Sequence, residues 1–145
     1  MRNLILAAVT ASLAGPVAAA PLCDDLGFAG LLAACNRGET IKLTLASGQP
    51  LGEDAVLQSG AYYKLEITAD GSAELAIEGP SFFRAIWMNE IVINSIEIRP
   101  MAIDSIEFDK AGTAELSFIA IKPGSHTVRI PGSTGDAQSV TFSIQ

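Results

Sequence analysis

The stretch Ala114–Gly132, A-E-L-S-F-I-A-I-K-P-G-S-H-T-V-R-I-P-G, decides the fold. Leu116 to Ile121 is apolar at both parities, as a strand covered on both faces must be. Lys122-Pro123-Gly124 then turns the chain, since proline and glycine favour turns over a continued strand. His126, Val128 and Ile130 share one parity, so a second strand follows. Its inward face, or the edge of the fold, carries the chain's single histidine, and Pro131-Gly132 ends it. A period of two on both sides of a turn implies packed sheets.

The same period continues outward. Val140, Phe142 and Ile144 alternate with Ser139, Thr141 and Ser143. Before the central strand, Asp109–Gly112 reads as a turn, and Ile103, Ile106 and Phe108 as an irregular strand. Ile91–Ile98 is strongly β-branched, but its parity slips between Ile93 and Ile96, which predicts a bulge near Asn94-Ser95. Phe82, Phe83, Ile86 and Trp87 instead recur at helical spacing behind Ser81, a suitable N-cap. One or two helical turns over Phe82–Met88 are expected to lid the core.

Tyr63, Leu65 and Ile67 form one face of another strand, and Ile41, Leu43 and Leu45 of a further one. Ala55–Gln58 reads as a brief edge segment. Two geometries are open at Ala69-Asp70-Gly71. A three-residue loop with a bulge would pair Ile67 with Ala73, or the chain crosses here between two sheets. About eight short strands in this length give an all-β Greek-key sandwich with a short helical segment near 82–88.

Residues 1–20 read as a signal peptide: Arg2, an apolar run Leu4–Gly15, then small residues through Ala20, with cleavage favoured after Ala18 or Ala19. Residues 21–39 form an N-terminal segment and 40–145 the sandwich domain. Arg2 is the leader's only charge, so the mature chain keeps 8 of the 9 basic residues against 16 acidic ones, a formal charge of −8. Such an acidic chain is a poor partner for nucleic acid or an anionic membrane surface, and no stable membrane insertion is expected after cleavage. The compartment implied is periplasmic or secreted.

Cys23 and Cys35 are the only cysteines, and an exported chain with an even count suggests a disulfide. A continuous helix between them would hold their Cα atoms roughly 18 Å apart, whereas a disulfide tolerates at most ~7 Å. Any helix there must break, and Gly27 and Gly30 are the expected places.

Over Ala55–Gln145 the order of elements resembles a cupredoxin, the sandwich of blue copper proteins. The resemblance rests on Gln58-Ser59-Gly60-Ala61-Tyr62-Tyr63 and on Lys122-Pro123-Gly124-Ser125-His126-Thr127-Val128. In that family a Pro-Gly-x-Tyr segment leads into the strand bearing the copper cysteine, and His126 stands at the tyrosine's place. The ligands themselves are missing. Ala73-Glu74-Leu75 stands where the family has its first histidine, and Val128-Arg129-Ile130 where it has the cysteine. Ser133 stands where a histidine would follow Pro131-Gly132, and no methionine comes after it. A type 1 site needs a thiolate and two imidazoles, so the resemblance implies a scaffold without blue copper.

Other constellations carry less. Ser125 and His126 are strand neighbours facing opposite ways, so they cannot pair as nucleophile and base. Asp24-Asp25, Glu53-Asp54 and Asp104/Glu107/Asp109 fall in turns or on polar faces, where solvation explains them. The leading expectation is an exported, non-enzymatic binding or accessory domain without a metal. It would meet an unidentified protein or small ligand at Phe82, Phe83 and Trp87. The alternative is a Cu(I) carrier in which His126, Met88 and Met101 supply an imidazole and two thioethers, soft donors that suit Cu(I).

Overall fold

The computed structural model describes residues 21–145, so the expected signal peptide lies outside the described residues. Ten strands run in chain order: β1 Arg37–Leu45, β2 Ala55–Leu57, β3 Tyr62–Ala69, β4 Leu75–Glu78, β5 Ile86–Ile93, β6 Ile96–Ile98, β7 Ser105–Phe108, β8 Gly112–Ala120, β9 Gly124–Arg129 and β10 Ser139–Ile144. A four-residue helix, α1 Pro80–Phe83, precedes β5. The strands form two five-stranded sheets of order β1-β3-β8-β5-β6 and β2-β10-β9-β4-β7. Strands adjacent in the chain repeatedly fall in different sheets, which gives the all-β sandwich its crossed path.

The central strand β8 is buried on both faces, as its double apolar parity requires. Ala114, Leu116, Phe118 and Ala120 point into the sandwich, while Ser117 and Ile119 are covered on the outer side. At Lys122-Pro123 the chain leaves the first sheet and enters the second as β9, so this turn is a crossover rather than a hairpin. The same holds at Asp70-Gly71. β3 pairs with β8 and β4 with β7, so of the two geometries open there, the crossing between sheets is the one adopted.

Two local expectations are corrected. The parity slip at Asn94-Ser95 is a tight turn, not a bulge. Both residues have positive φ (49° and 65°), the signature of a type I′ turn, and Ile93 pairs with Ile96 across it. The helical reading of Phe82–Met88 holds only for its first two residues. Pro80 occupies the first helical position, where its missing N–H is no loss, and Gly79 rather than Ser81 is the N-cap. From Ile86 the chain is strand, because the central β8 offers backbone partners that four residues of helix cannot match.

α1 does lid the core. The Phe82 ring is buried between the sheets, 5.4 Å edge-on from Phe118 of β8 and 4.7 Å from Phe142 of β10. Phe83 is buried against Phe82 at 5.6 Å.

The N-terminal segment breaks as its glycines require. A 3-10 helix, Gly27–Leu32, kinks at Gly30 (φ 56°, ψ −139°), and a second, Ala34–Asn36, follows. The chain thereby doubles back, and the Cys23–Cys35 disulfide closes with Cα atoms 5.9 Å apart. Buried Asn36 fixes this segment to the sandwich: its Oδ1 accepts from Leu22 N–H, and its Nδ2 donates to the Leu31 and Gly60 carbonyls. None of the described helices is long and apolar enough to cross a membrane.

Candidate functional site

The copper-donor candidates sit on three separate elements. His126 faces inward on β9 opposite Phe142 and is 8% exposed. Its Nε2–H donates to the Lys122 carbonyl at 3.2 Å, so that nitrogen carries the proton. Gly124, at φ +145°, lies against the same ring, and a Cβ there would come 3.3 Å from Nε2. His126 thus braces the Lys122–Gly124 turn. Met88 lies on β5 of the other sheet and packs against the core. Met101 is fully exposed in the β6–β7 connection. Both cysteines are bonded to each other.

The place that the sequence resemblance implies for the copper ligands begins at the other end of β9, three residues or about 10 Å from His126. Glu74, Leu75, Ile130 and Pro131 line a surface cleft there, together with Glu78 and Glu107. Arg129 Nε donates to Glu78 Oε1 at 3.0 Å. Hydrogen bonding with Glu107 raises the Glu74 pKa, and the charges of Asp109 and Glu107 push it the same way. Among the described residues no group of three or more His, Cys, Asp or Glu is placed to hold a metal ion. One committed imidazole and no free thiolate do not fit a type 1 copper centre.

The expected aromatic surface is also corrected. Phe82 and Phe83 are buried, because the space between the open ends of the sheets needs their rings. Trp87 alone of the three is exposed, at 48%, on the outer face of the first sheet. It stands in register with Ile119, which in turn pairs with Tyr62. The Arg37 guanidinium lies over the Tyr62 ring, 5.2 Å from its centroid.

Beside Trp87 the sheet carries a connected polar network. β5 shifts register by one residue between Met88 and Glu90. That bulge puts both Asn89 and Glu90 on the outer face while Met88 and Ile91 stay inward. Asn89 Nδ2 donates to Tyr62 Oη (3.4 Å) and Ser117 Oγ (3.5 Å), and Ser117 Oγ donates to Glu90 Oε1 (3.3 Å). Arg99 donates to Asn89 Oδ1 (3.2 Å) and bridges Glu90 (3.0 Å) and Glu97 (3.1 Å). Lys64–Glu115 adds an ion pair on the neighbouring strands. Four strands therefore present one half-exposed indole beside a bonded array of amide, hydroxyl, carboxylate and guanidinium groups. Sequence reading reached Trp87 but not Tyr62, Asn89, Glu90, Arg99 or Ser117. The available signal was two polar residues in succession, Asn89-Glu90, inside an apolar strand.

No protein-family profile matches the chain, and no curated protein does. Solved structures do. The chain superposes on a blue copper oxidase from Nitrosomonas europaea with TM-score 0.53 and 11% identity, over 72% of this chain and 43% of that one. A laccase-like multicopper oxidase from Ochrobactrum sp. gives TM-score 0.55 and 9% identity, covering 75% and 31%. A multicopper oxidase from Pseudomonas thermotolerans gives 0.52 and 16%, covering 73% and 29%. The chain spans less than half the length of each of these proteins. Their shared feature with it is the path of the backbone: the chain has a cupredoxin-like fold.

Proposed function

We propose that this chain is an exported, non-enzymatic binding or accessory domain that works without a metal. It meets its partner, a protein or a small ligand, through the outer face of the first sheet around Trp87. The observation that carries the reading is the half-exposed indole held near the start of β5 beside the Asn89–Ser117–Glu90–Arg99 network. An indole offers a large rigid contact area, and the network offers donors and acceptors whose positions are already fixed. Both are what recognition surfaces use. The Cys23–Cys35 disulfide supports an oxidising compartment. The residues at the implied copper position and the commitment of His126 Nε2 support a metal-free role.

Two measurements test this. Loading the purified protein with Cu(I) and Cu(II), desalting and assaying copper should leave none bound. Stoichiometric copper that disappears in His126→Ala would establish the Cu(I)-carrier alternative instead. Trp87 is the chain's only tryptophan, so its emission reports directly on the proposed face. A partner recovered with the wild type should shift that emission and bind Trp87→Ala at least about tenfold more weakly, the scale of a lost aromatic anchor. Equal binding would move the surface elsewhere.

A further inference from the structure

We infer that the free edge of β6 joins two copies of this chain, pairing antiparallel about a twofold axis at Ile98. β6 is the last strand of the first sheet, so one side of its backbone has no strand partner. The turn at Asn94-Ser95 fixes which residues face that side. In a two-residue hairpin the closing pair is hydrogen-bonded, so Ile96 and, two residues on, Ile98 direct their N–H and C=O groups towards β5. Glu97 and Arg99 therefore direct theirs outward.

That phase and the side chains select one register. Centring the axis on Ile98 sets Glu97 opposite Arg99 of the other copy, twice. Each such pair exchanges two backbone hydrogen bonds and places opposite charges side by side. Ile98 meets its own copy in the non-bonded position, where side chains approach most closely. Pro100 falls opposite Ile96, also a position that needs no N–H. Moving the axis to Glu97 or to Arg99 sets like charges against each other, and any half-step sets outward groups against inward ones. Ile96 and Ile98, 65% and 44% exposed, supply apolar surface for the second copy to cover. The contact is isologous, so it closes at two copies.

The edges at β1 and β7 lack this fit. Thr44 of β1 already donates to the Leu51 carbonyl. β7 carries Glu107 with Glu74 and Asp109 near it, so a second copy would meet its own charge.

Sedimentation velocity across a wide concentration range tests the pairing. The wild type should pass from monomer to dimer. Glu97→Arg or Arg99→Glu alone should weaken association roughly tenfold by setting like charges opposite, and the double exchange should restore it. Glu97→Pro removes an outward N–H that β5 does not use, so the protein should keep its circular dichroism spectrum and stay monomeric. Trp87→Ala should dimerise like the wild type, because Trp87 is not among the β5 residues that pair with β6. A monomer at every concentration, a dimer indifferent to Glu97→Pro and the charge exchange, or open-ended polymers would overturn the inference.

Discussion

The two faces of the first sheet differ more than any two regions of the chain, although they share the same strands. On β8, Leu116 and Phe118 point inward and are fully buried, and between and beyond them Ser117 and Ile119 point outward. The inner face is apolar and locked by Phe82, which touches both sheets. The outer face is a polar network with ion pairs at exposed positions. Close-packed apolar contact carries the stability of a domain, whereas exposed ion pairs contribute about 0–1 kcal/mol each. The inner face thus holds the fold, and the outer face is free to be shaped for recognition.

Phe82→Ala is the most severe way to press this contrast. Removing a fully buried ring that bridges two sheets should cost about 3–5 kcal/mol, a large part of a typical domain's stability. Trp87→Ala, five residues later on the outer face, should change stability by no more than about 1 kcal/mol. Urea denaturation of the two variants measures both. Equal losses would mean that Trp87 is a packing residue and not a recognition surface.

That the sandwich could be read from sequence, while its outer surface could not, has the same physical origin. Alternation along Tyr63–Ile67 and Val140–Ile144 is dictated by burial of one face, the unbroken apolar run Leu116–Ala120 by burial of both, and burial leaves a local imprint. Period two says that a segment is a strand but not which strand it joins. The crossings at Asp70-Gly71 and Lys122-Pro123 therefore had to come from the structure. Phe82, Phe83, Ile86 and Trp87 fit a helical face by spacing alone, yet the chain changes from helix to strand between the second and third of them. The turn at Asn94-Ser95 lacks the glycine that usually announces a type I′ hairpin. The network is hidden more deeply still. Tyr62, Ser117, Asn89 and Arg99 come from distant parts of the chain and are joined only by strand pairing and a one-residue bulge. The broken helix between Cys23 and Cys35 was legible because the disulfide's reach forbids a straight one.

A smaller effect is expected where the N-terminal segment meets the rim of the outer face. Asn36 ties this segment to Gly60, and Arg37 covers the Tyr62 ring. Cys23→Ser with Cys35→Ser should lower stability by roughly 3 kcal/mol, since the cross-link closes a short loop in the unfolded chain. Comparing wild-type denaturation with and without reductant gives the same quantity independently. If the double variant instead lost clearly more than Phe82→Ala, the rim would belong with the core and the division between the faces would be drawn in the wrong place.

The outer face of the second sheet offers the finest test, because its polar groups oppose one another instead of forming a satisfied network. Glu74 hydrogen-bonds with Glu107, and Asp109 and Glu107 add like charge, so its pKa is raised in the folded protein. A raised pKa means that the folded chain binds the proton more tightly than the unfolded one. The stabilisation it brings is fully present below the ordinary glutamate value of about 4.3 and is lost as pH rises through the folded value. Above that window Glu74 faces the like charges of Asp109 and Glu107. Glu74→Gln removes one charge and keeps a group that can bond Glu107, so its Tm at pH 7 should rise slightly above that of the wild type. The gain should fade to nothing once the pH drops below about 4, where the wild-type carboxyl is protonated as well. Asp70 acts in the opposite direction. Hydrogen bonds from Ser72 lower its pKa, so its contribution is present at neutral pH and is lost as acid titrates it in the folded state. It is common to both proteins and cancels when wild type and variant are compared at each pH. A gain that persisted unchanged in acid would assign the effect of Glu74→Gln to something other than charge, and this outer face would then be as satisfied as the one around Ser117.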